Sequence, residues 1–408
     1  MKDLPDFGSS RRVWLGAMTG LLAATPAVPP RLPDKDHFEF TGVYLNAAYT
    51  HPMPSASAQA MRHYLDARLL NPRGAGFDML ADRNEAKALF ARMINAAPDE
   101  IAWVPSTMVG ENIVVAGLGL PGSRSRVVTD AYHFDGSLYL YGELAKQGLD
   151  LHVVRPRNNG IDLNDLNAAI TPNTTLVALS LVSMINGFEH DLKAVCDLAH
   201  SRGALVYADI IQAAGAVPID VQSSGVDFCA CSTFKWLMGD FGAGFLYVRK
   251  DRESRLKRSQ YGYRQLSGFV SHTFPYDPPA AEAFDWTSRS DAGGRFEVGT
   301  LANGVPSALC VSLRHLLDLG VDRIQAHRQP LIQRLQAELP KRGFTPMTPV
   351  ESTSPIVSFA YRDALQKLRP RITAANINIQ LYENRLRISP SHYNDMADVE
   401  RLIEVLSG

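Results

Sequence analysis

The chain has 408 residues, more than a single hydrophobic core usually holds, so we expect two domains. Its 41 basic and 42 acidic side chains give a formal net charge of −1, which leaves no basic excess to neutralise the phosphates of a nucleic acid. The four cysteines are too few for a disulfide scaffold, and the histidines show no metal-binding spacing, so we expect neither a nucleic-acid partner nor a metal.

Residues 1–30 have the order of a twin-arginine export signal. The pair Arg11-Arg12 precedes a short apolar stretch from Val13 to Ala24, and the small residues Thr25-Pro26-Ala27 follow. The stretch is too short and too interrupted to span a bilayer, so we expect no membrane anchor. The pattern predicts an exported, periplasmic protein. The alternative is a frayed N-terminal helix with a chance arginine pair on a cytoplasmic protein.

After this leader the chain alternates between short apolar runs and helical periodicity. A short extended segment lies at Tyr44-Leu45-Asn46, and a helical pattern runs from Ser57 to about Ala97 with a break at residues 71–76. Apolar runs then predict buried strands at Val127-Val128, Leu151–Val154, Leu176–Leu179, Leu205–Tyr207, Phe228–Ala230 and Gly244–Val248. Helical segments lie between most of these runs, which predicts an α/β fold with a mostly parallel sheet and helices on both faces.

The pattern changes after Gly304. Longer helices are predicted to begin near Pro306 and Val321, and strands are predicted at Ile356–Tyr361 and Leu386–Ser389, which together indicate a smaller α+β domain. We therefore predict a leader at 1–30, an N-terminal segment at 36–58, a large domain at 59–290 and a small C-terminal domain at 291–408.

Two neighbouring strands of the predicted sheet end in residues that carry chemistry. Asp209 follows one strand, and Gln212 lies on the next turn; Lys235 comes directly after the following strand, behind Ser232. Because ligands bind at the carboxyl ends of parallel strands, we expect these side chains to face one ligand. A lysine that binds covalently, with an acid for a ring nitrogen and hydroxyls for a phosphate, is what pyridoxal 5'-phosphate (PLP) requires.

Four motifs in this order carry a family resemblance. Asp209-Ile-Ile-Gln212, Ser232-Thr-Phe-Lys235, Arg295-Phe-Glu-Val-Gly-Thr300 and Arg387-Ile-Ser-Pro-Ser-His-Tyr-Asn394 resemble the class V aminotransferase family of PLP fold type I. That family includes cysteine desulfurases, kynureninase and isopenicillin N epimerase. The resemblance implies a seven-stranded large domain, an amino-acid substrate, and a homodimer with active sites at the subunit interface.

The resemblance also implies roles for single residues. Lys235 would be the Schiff-base lysine and the proton carrier at Cα, Asp209 would pair with the pyridinium, and Gln212 would donate toward the phenolic oxygen of the ring. His133 would stack on the ring, and Arg387 would hold the substrate α-carboxylate with two parallel hydrogen bonds.

The phosphate would be held by residues from separate parts of the chain. Thr107 and the backbone of Met108 match the phosphate-binding turn, Ser232 would add a contact, and Thr300 would reach the phosphate of the partner subunit. The Ser106-Thr107 pair is also a good helix N-cap, and the two interpretations are compatible.

The chain departs from the desulfurases in three places. Phe234 stands where they carry a histidine before the lysine, and Met184 stands where they carry an asparagine, although Asn186 is close. The run from Ala374 to Leu386 contains no cysteine to act as the nucleophile, so persulfide chemistry on the protein is disfavoured.

These features leave three functions open. The first is an enzyme of the isopenicillin N epimerase-like branch that epimerises, transaminates or eliminates, with Arg73 or Arg264 available for a second carboxylate. The second is a cysteine desulfurase or selenocysteine lyase that recruits a cysteine from elsewhere. The third is a PLP-binding protein without turnover, which need not keep Arg387.

Overall fold

The computed structural model describes residues 31–70, 79–122 and 125–408. The predicted export signal and Arg73 lie outside these residues. The helices are α1 Ser55–Leu70, α2 Met79–Met93, α3 Thr107–Gly117, α4 Asp135–Lys146, α5 Leu163–Ala169, α6 Leu192–His200, α7 Val221–Ser224, α8 Ala292–Phe296, α9 Gly304–Leu319, α10 Val321–Glu338, α11 Ala364–Ala374 and α12 Met396–Ser407.

Most strands are short and belong to one large or one small sheet. They are β1 Val43–Tyr44, β2 Ile101–Val104, β3 Arg126–Asp130, β4 Asp150–Val154, β5 Thr174–Ser180, β6 Leu205–Asp209, β7 Phe228–Ser232, β8 Gly244–Val248, β9 Leu266–Ser271, β10 Phe284–Ser288, β11 Thr345–Pro346, β12 Val357–Ala360, β13 Ile377–Asn378, β14 Gln380–Tyr382 and β15 Arg385–Ile388.

The large sheet has seven strands in the order β2-β8-β7-β6-β5-β3-β4. Every ladder from β4 to β7 is parallel, and β8 alone runs antiparallel to both of its neighbours. Helices on both faces cover strands such as β6 and β7, all of whose residues are buried. The predicted α/β fold with a mostly parallel seven-stranded sheet is confirmed.

One strand was predicted in the right place but with the wrong surroundings. Residues 151–154 were expected to form a buried strand, yet β4 is the edge of the sheet, and His152 and Val153 are exposed. Only Val154 is fully covered. The apolar run of this segment reflects packing on one side of an edge strand, which a short sequence pattern does not distinguish from burial on both sides.

The described residues form three hydrophobic cores, two on the large sheet and one on the small sheet. One of the two large-sheet cores includes Val305, Leu309 and Ile324 from α9 and α10, so these helices begin on the large domain. The core of the small sheet lies around β12 and β15 and includes Val43 and Leu45 from the N-terminal segment. The domain limits given by the sequence remain a prediction; in the packing, the first part of 291–408 belongs with the large sheet.

Asp34, just before the N-terminal segment, contacts two distant parts of the chain. Its carboxylate oxygens lie 2.6 Å from His315 Nε2 on α9 and 2.6 Å from His392 Nδ1 after β15. Both nitrogen-to-oxygen distances are typical of hydrogen bonds. Two ligand atoms of one tetrahedral zinc ion, each about 2.0 Å from the metal, would lie farther from each other than this. The cluster therefore joins the chain just before the N-terminal segment to α9 and to the loop after β15 by charge-assisted hydrogen bonds.

None of the helices in the described ranges is both long enough and apolar enough to cross a membrane.

Candidate active site

The carboxyl ends of four adjacent strands bring polar residues together. β3 ends at Asp130, β5 at Ser180, β6 at Asp209 and β7 at Ser232. The register pairs Ser180 with Asp209 across β5 and β6, so these ends form one edge of the sheet. In open parallel sheets this edge is where ligands bind.

Asp209 is buried at the end of β6. One carboxylate oxygen accepts a hydrogen bond of 2.9 Å from the backbone N–H of Ile211. Burial raises the pKa of Asp209 to about 6, although that hydrogen bond and the nearby His133 and Lys235 oppose the rise. A buried acid at the sheet edge, with a pKa near neutral and cationic side chains nearby, is suited to pair with a protonated ring nitrogen.

Lys235 lies on the loop after β7, five residues after Ala230, the last β7 residue that pairs with β6. Among the described residues its Nζ makes no hydrogen bond; it lies 5.7 Å from the centre of the Phe234 ring. Burial lowers the pKa of Lys235 to about 8, with Asp209 opposing the change and Arg387 adding to it. A lysine with a lowered pKa is a better nucleophile toward an aldehyde at neutral pH.

Thr107 and Ser232 meet at the start of α3. The backbone N–H of Thr107 donates to Ser232 Oγ at 2.8 Å, and the backbone N–H of Ser232 donates to Thr107 Oγ1 at 2.8 Å. The close approach of α3 to β7 depends on Gly110, because a Cβ there would lie 2.8 Å from that of Ala230. Met108 occupies the first turn, so the predicted phosphate residues converge on a helix N-terminus.

Gln212 is held in place by the residues around it. Its side-chain amide donates to the carbonyl of Ala48 at 3.0 Å, and its carbonyl accepts from the indole N–H of Trp236 at 2.9 Å. The second amide hydrogen remains available for a ring oxygen. Gly215 permits this arrangement, since its φ of +86° is left-handed and a Cβ would lie 2.7 Å from the Trp236 carbonyl.

His133 is fully buried in a network that the sequence did not predict. Its Nδ1 lies 2.9 Å from Ser180 Oγ, and its Nε2 lies 3.1 Å from Oε1 of Glu111. Tyr141 donates to the same carboxylate oxygen at 2.8 Å. Glu111 follows Thr107 by one helical turn, and this spacing on a helix of the pocket is the signal that would have found it.

Arg387 lies buried on β15 with part of its guanidinium uncommitted. Nη1 donates to the backbone carbonyl of Met184 at 3.0 Å, whereas the buried Nε has no hydrogen-bond partner in the part of the chain that the structure describes. Burial lowers the pKa of Arg387. Asn186 does not take the place of a ring-side asparagine, because its amide donates to the carbonyls of Asn159 and Met347.

Thr300 and Arg264 lie apart from this cluster. Thr300 is exposed on the loop between α8 and α9, and the side chain of Tyr263 bonds to it. Arg264 packs over the Tyr263 ring with its guanidinium 5.7 Å from the ring centre. In a single chain neither side chain joins Lys235, and the role of Thr300 at a partner's phosphate stays a prediction.

The residues present fit PLP. A buried amine without a hydrogen bond, a buried carboxylate and the unpaired Nε of Arg387 are costly unless a ligand completes them. Lys235 would hold the aldehyde carbon, Asp209 the ring nitrogen, and the α3 start with Thr107 and Ser232 the phosphate. This leaves Arg387 for the carboxylate of an amino acid.

The four cysteines are buried and protonated. Burial raises the pKa of Cys196 and Cys310 to about 12 and raises those of Cys229 and Cys231 well above the ordinary value. The thiolate is the nucleophilic form of cysteine, so these side chains are unsuited to attack a substrate sulfur.

Comparison with known proteins identifies the family of this chain. The family described as aminotransferase class-V matches residues 43–402. A probable cysteine desulfurase of Methanothermobacter thermautotrophicus is 30% identical over 305 residues, 72% of this chain and 72% of that protein.

Solved structures share the fold. The cysteine desulfurase CsdA of Escherichia coli superposes with a TM-score of 0.78 at 22% identity, covering 91% of this chain and 96% of that one. A mutant of C-DES with glycine covalently linked to its PLP cofactor gives 0.79 at 18% identity, covering 92% and 99%. A second C-DES structure, described as a cystine C–S lyase with its product cysteine persulfide, gives 0.77 at 19%, covering 90% and 97%. The chain therefore belongs to the class V aminotransferase family and is a PLP-dependent enzyme.

Proposed function

We propose that this protein is a PLP-dependent lyase that eliminates a group from Cβ of an α-amino acid without using a protein thiol. The observation that carries the proposal is the combination of Lys235, Asp209 and Arg387 at one sheet edge with four buried, protonated cysteines. The sulfur-containing amino acids named for CsdA and C-DES support cysteine or cystine as the first substrates to try.

When bound, PLP supplies an electron sink that stabilises negative charge at Cα. Lys235 removes the Cα proton, and its lowered pKa of about 8 lets its amine act as a base near neutral pH. Asp209 keeps the ring nitrogen protonated, and Arg387 fixes the carboxylate. Breaking the Cβ–S bond sends the electron pair to sulfur; for cysteine plus water, the balanced products are pyruvate, ammonia and hydrogen sulfide.

A cysteine panel tests the thiol-independent step. We expect Cys196, Cys229, Cys231 and Cys310 to be replaceable by alanine or serine one at a time without loss of turnover, apart from packing losses. Arg387→Ala should lose about a hundredfold or more in kcat/KM, because a charge-assisted bidentate contact to the carboxylate is removed. If one folded, PLP-containing cysteine variant makes no sulfide while the wild-type protein does, a desulfurase mechanism with a protein persulfide replaces this proposal.

The isopenicillin N epimerase-like branch is the second candidate function. It is favoured by the absence of an accessible thiol among the cysteines and by the Lys235-Trp236 pair, whose indole fixes Gln212. Incubation of an amino-acid panel in deuterated water distinguishes the reactions. Elimination releases a keto acid and ammonia, transamination releases a keto acid without ammonia, and epimerisation exchanges the Cα hydrogen with inversion and releases neither.

We also propose that the protein is a homodimer. The β9–β10 hairpin exposes a group of large apolar side chains, Phe269, Val270, Phe284 and Trp286 among them, which is unusual for a solvent-facing hairpin. Exposed Thr300 fits a role at the partner's phosphate. Sedimentation equilibrium should show twice the mass of one chain, and Thr300→Ala should weaken PLP binding; a monomeric PLP-containing protein would contradict the proposal.

We also propose that the protein is exported, and only the sequence pattern of residues 1–30 supports this. Replacing Arg11 and Arg12 by lysine should leave an uncleaved precursor in the cytoplasm, whereas the wild-type protein should be found in the periplasm without its leader. Wild-type protein that remains in the cytosol with its first residue in place would contradict export.

A further inference from the structure

Glu111 is a fully buried carboxylate next to the cofactor residues, and the proposed reaction leaves it without a task. It lies on α3, one turn after Thr107. Its oxygens receive hydrogen bonds from the hydroxyls of Ser137 and Tyr141, and His133 Nε2 lies 3.1 Å from Oε1. A buried carboxylate at this position requires an explanation, because burying an unpaired charge is costly.

The partners of Glu111 show which form it takes. The hydroxyls of Ser137 and Tyr141 donate to it, and burial together with Glu111 raises the pKa of Tyr141 well above its usual value, so this phenol stays a donor. A carboxylate surrounded by donors is in its ionised, acceptor-only form. The positive charge that compensates it must come from His133, since Ser137 and Tyr141 are neutral.

His133 lies between two acids. Glu111 contacts its Nε2, and Asp209, at the end of β6 and separated from β3 by β5, lies close enough to act on its charge. The other groups facing the ring are Ser180, at 2.9 Å from Nδ1, and Asp130, whose carboxylate is bonded to His190 and to the backbone N–H of Tyr132. A hydroxyl such as Ser180 accepts from a protonated nitrogen as readily as it donates to a bare one.

We propose that Glu111 is a positioning residue that keeps His133 doubly protonated and so fixes a positive charge beside Asp209. The charges then alternate from Glu111 to His133 to Asp209, and Asp209 would hold the protonated ring nitrogen of PLP when the cofactor is bound. The inference rests on the proposed function only through the role of Asp209.

Burial and the neighbouring charges act in opposite directions on the pKa values of His133 and Asp209. Burial alone would lower the pKa of His133, but the charge and hydrogen bond of Glu111, together with the charges of Asp209 and Asp130, outweigh burial and raise it. Glu111 acts directly on Asp209 in the unfavourable direction, whereas His133 lowers the pKa of Asp209. Glu111 therefore helps Asp209 stay ionised only when His133 between them is charged. A neutral His133 would leave two buried carboxylates facing each other.

The test is the protonation state of His133 in the full-length holoenzyme. Histidines are labelled with ¹⁵N in the ring, and the His133 signals are identified by their absence in His133→Asn. We expect both nitrogens of wild-type His133 to carry protons at neutral pH. In Glu111→Gln, which keeps the shape and removes the charge, the proton affinity of His133 should fall by about tenfold or more.

Two further variants make the test specific. Tyr141→Phe removes a hydrogen bond from the same carboxylate oxygen and keeps the charge, so His133 should stay protonated. Glu111→Asp keeps the charge on a shorter side chain and should retain more of the His133 proton affinity than Glu111→Gln. A structural role for Glu111 would instead make Tyr141→Phe and Glu111→Gln behave alike.

The proposal can fail even if Glu111→Gln does not fold. A neutral His133 in the wild-type holoenzyme at pH 7 would overturn it directly, and so would an unchanged His133 titration in Glu111→Gln. The double variant Glu111→Gln, His133→Asn should be more stable than His133→Asn alone, because the single change leaves Glu111 buried without a cation. These measurements need no substrate. A protein that catalyses no elimination reaction would therefore contradict the proposed function without contradicting this inference.

Discussion

The hydroxyl of Ser232 and the backbone N–H of Thr107 are joined at 2.8 Å, although 125 residues separate them. The reverse bond, from Ser232 N–H to Thr107 Oγ1, is also 2.8 Å long. This pair fixes the N-terminus of α3 against the end of β7, three residues before Lys235. The contact therefore fixes the position of the α3 N-terminus, which would hold the phosphate, relative to the segment that carries Lys235, which would hold the aldehyde.

Removing the Ser232 hydroxyl should weaken cofactor binding. We expect Ser232→Ala to raise the dissociation constant of PLP by about ten- to a hundredfold, the loss of one hydrogen bond to a charged group. Equilibrium dialysis of the apoenzyme against PLP measures the change. Ser224→Ala, which removes a buried hydroxyl bonded to the Val221 carbonyl on α7, is the matched control and should leave the affinity unchanged. Equal affinities for wild-type protein and Ser232→Ala would remove Ser232 from the phosphate site.

The capture of PLP by the apoenzyme should depend on pH through Lys235. Burial lowers the pKa of this amine to about 8, so the reactive neutral form increases as the pH rises toward 8 and is dominant above it. The rate of covalent incorporation should climb up to about pH 8 and then level off. Stopped-flow absorbance measures the rate, and Lys235→Ala should show no covalent product. A rate that still climbs at pH 10 would mean that the lysine has its ordinary pKa.

Asp209→Asn should retain PLP and lose most turnover. A neutral amide cannot hold the ring nitrogen protonated, so the electron sink at Cα is weakened. The same change should lower the pKa of Lys235 further, since the Asp209 charge supports the protonated amine. Turnover and the pH profile of PLP capture are measured on the same preparations. Near-normal turnover in Asp209→Asn would contradict the role assigned to Asp209.

The sequence predicted the sheet and the residues on its carboxyl edge because both depend on local patterns. Asp209 and Lys235 each follow a buried apolar run, and a strand end is visible from a few residues. That Thr107 and Ser232 would lie at the same phosphate was expected only through the family resemblance, since no local pattern links two segments so far apart. Their direct contact was not predicted.

The missed residues share a different property. Glu111 looks like an ordinary helical glutamate in the sequence, and only the fold places His133, Tyr141 and Ser137 around its carboxylate. Asp34 likewise looks like a loop residue, although it accepts hydrogen bonds from His315 and His392. Burial of a charged side chain is a tertiary property, and composition statistics assign such residues to the surface.

His51 should make the stability of the protein fall in acid. Its ring is buried, Nδ1 lies 2.8 Å from the Pro52 carbonyl, and Nε2 lies 2.8 Å from Ser391 Oγ. Burial, with the neighbouring His392, lowers the pKa of His51 to about 3. Between pH 6.5, an ordinary value for histidine, and pH 3, the unfolded chain binds a proton that the folded chain does not. The free energy of unfolding should therefore decrease as the pH decreases through this window, by up to about 1.4 kcal/mol per pH unit from this one group.

The contribution of His51 is isolated by a difference between variants. His51→Gln keeps polar atoms for both hydrogen bonds but does not titrate, so its stability should be lower than that of the wild-type protein at pH 8 and should approach it as the pH falls from 6.5 toward 4. Urea unfolding of the apoenzyme between pH 4 and 9 measures both curves without a contribution from cofactor release. His152→Gln on the exposed edge strand β4 is the matched control, and its difference from the wild-type protein should not change in this way. A wild-type curve parallel to that of His51→Gln would mean that His51 has the same pKa in the folded protein and in the unfolded chain. This result would contradict a buried His51 ring that stays neutral.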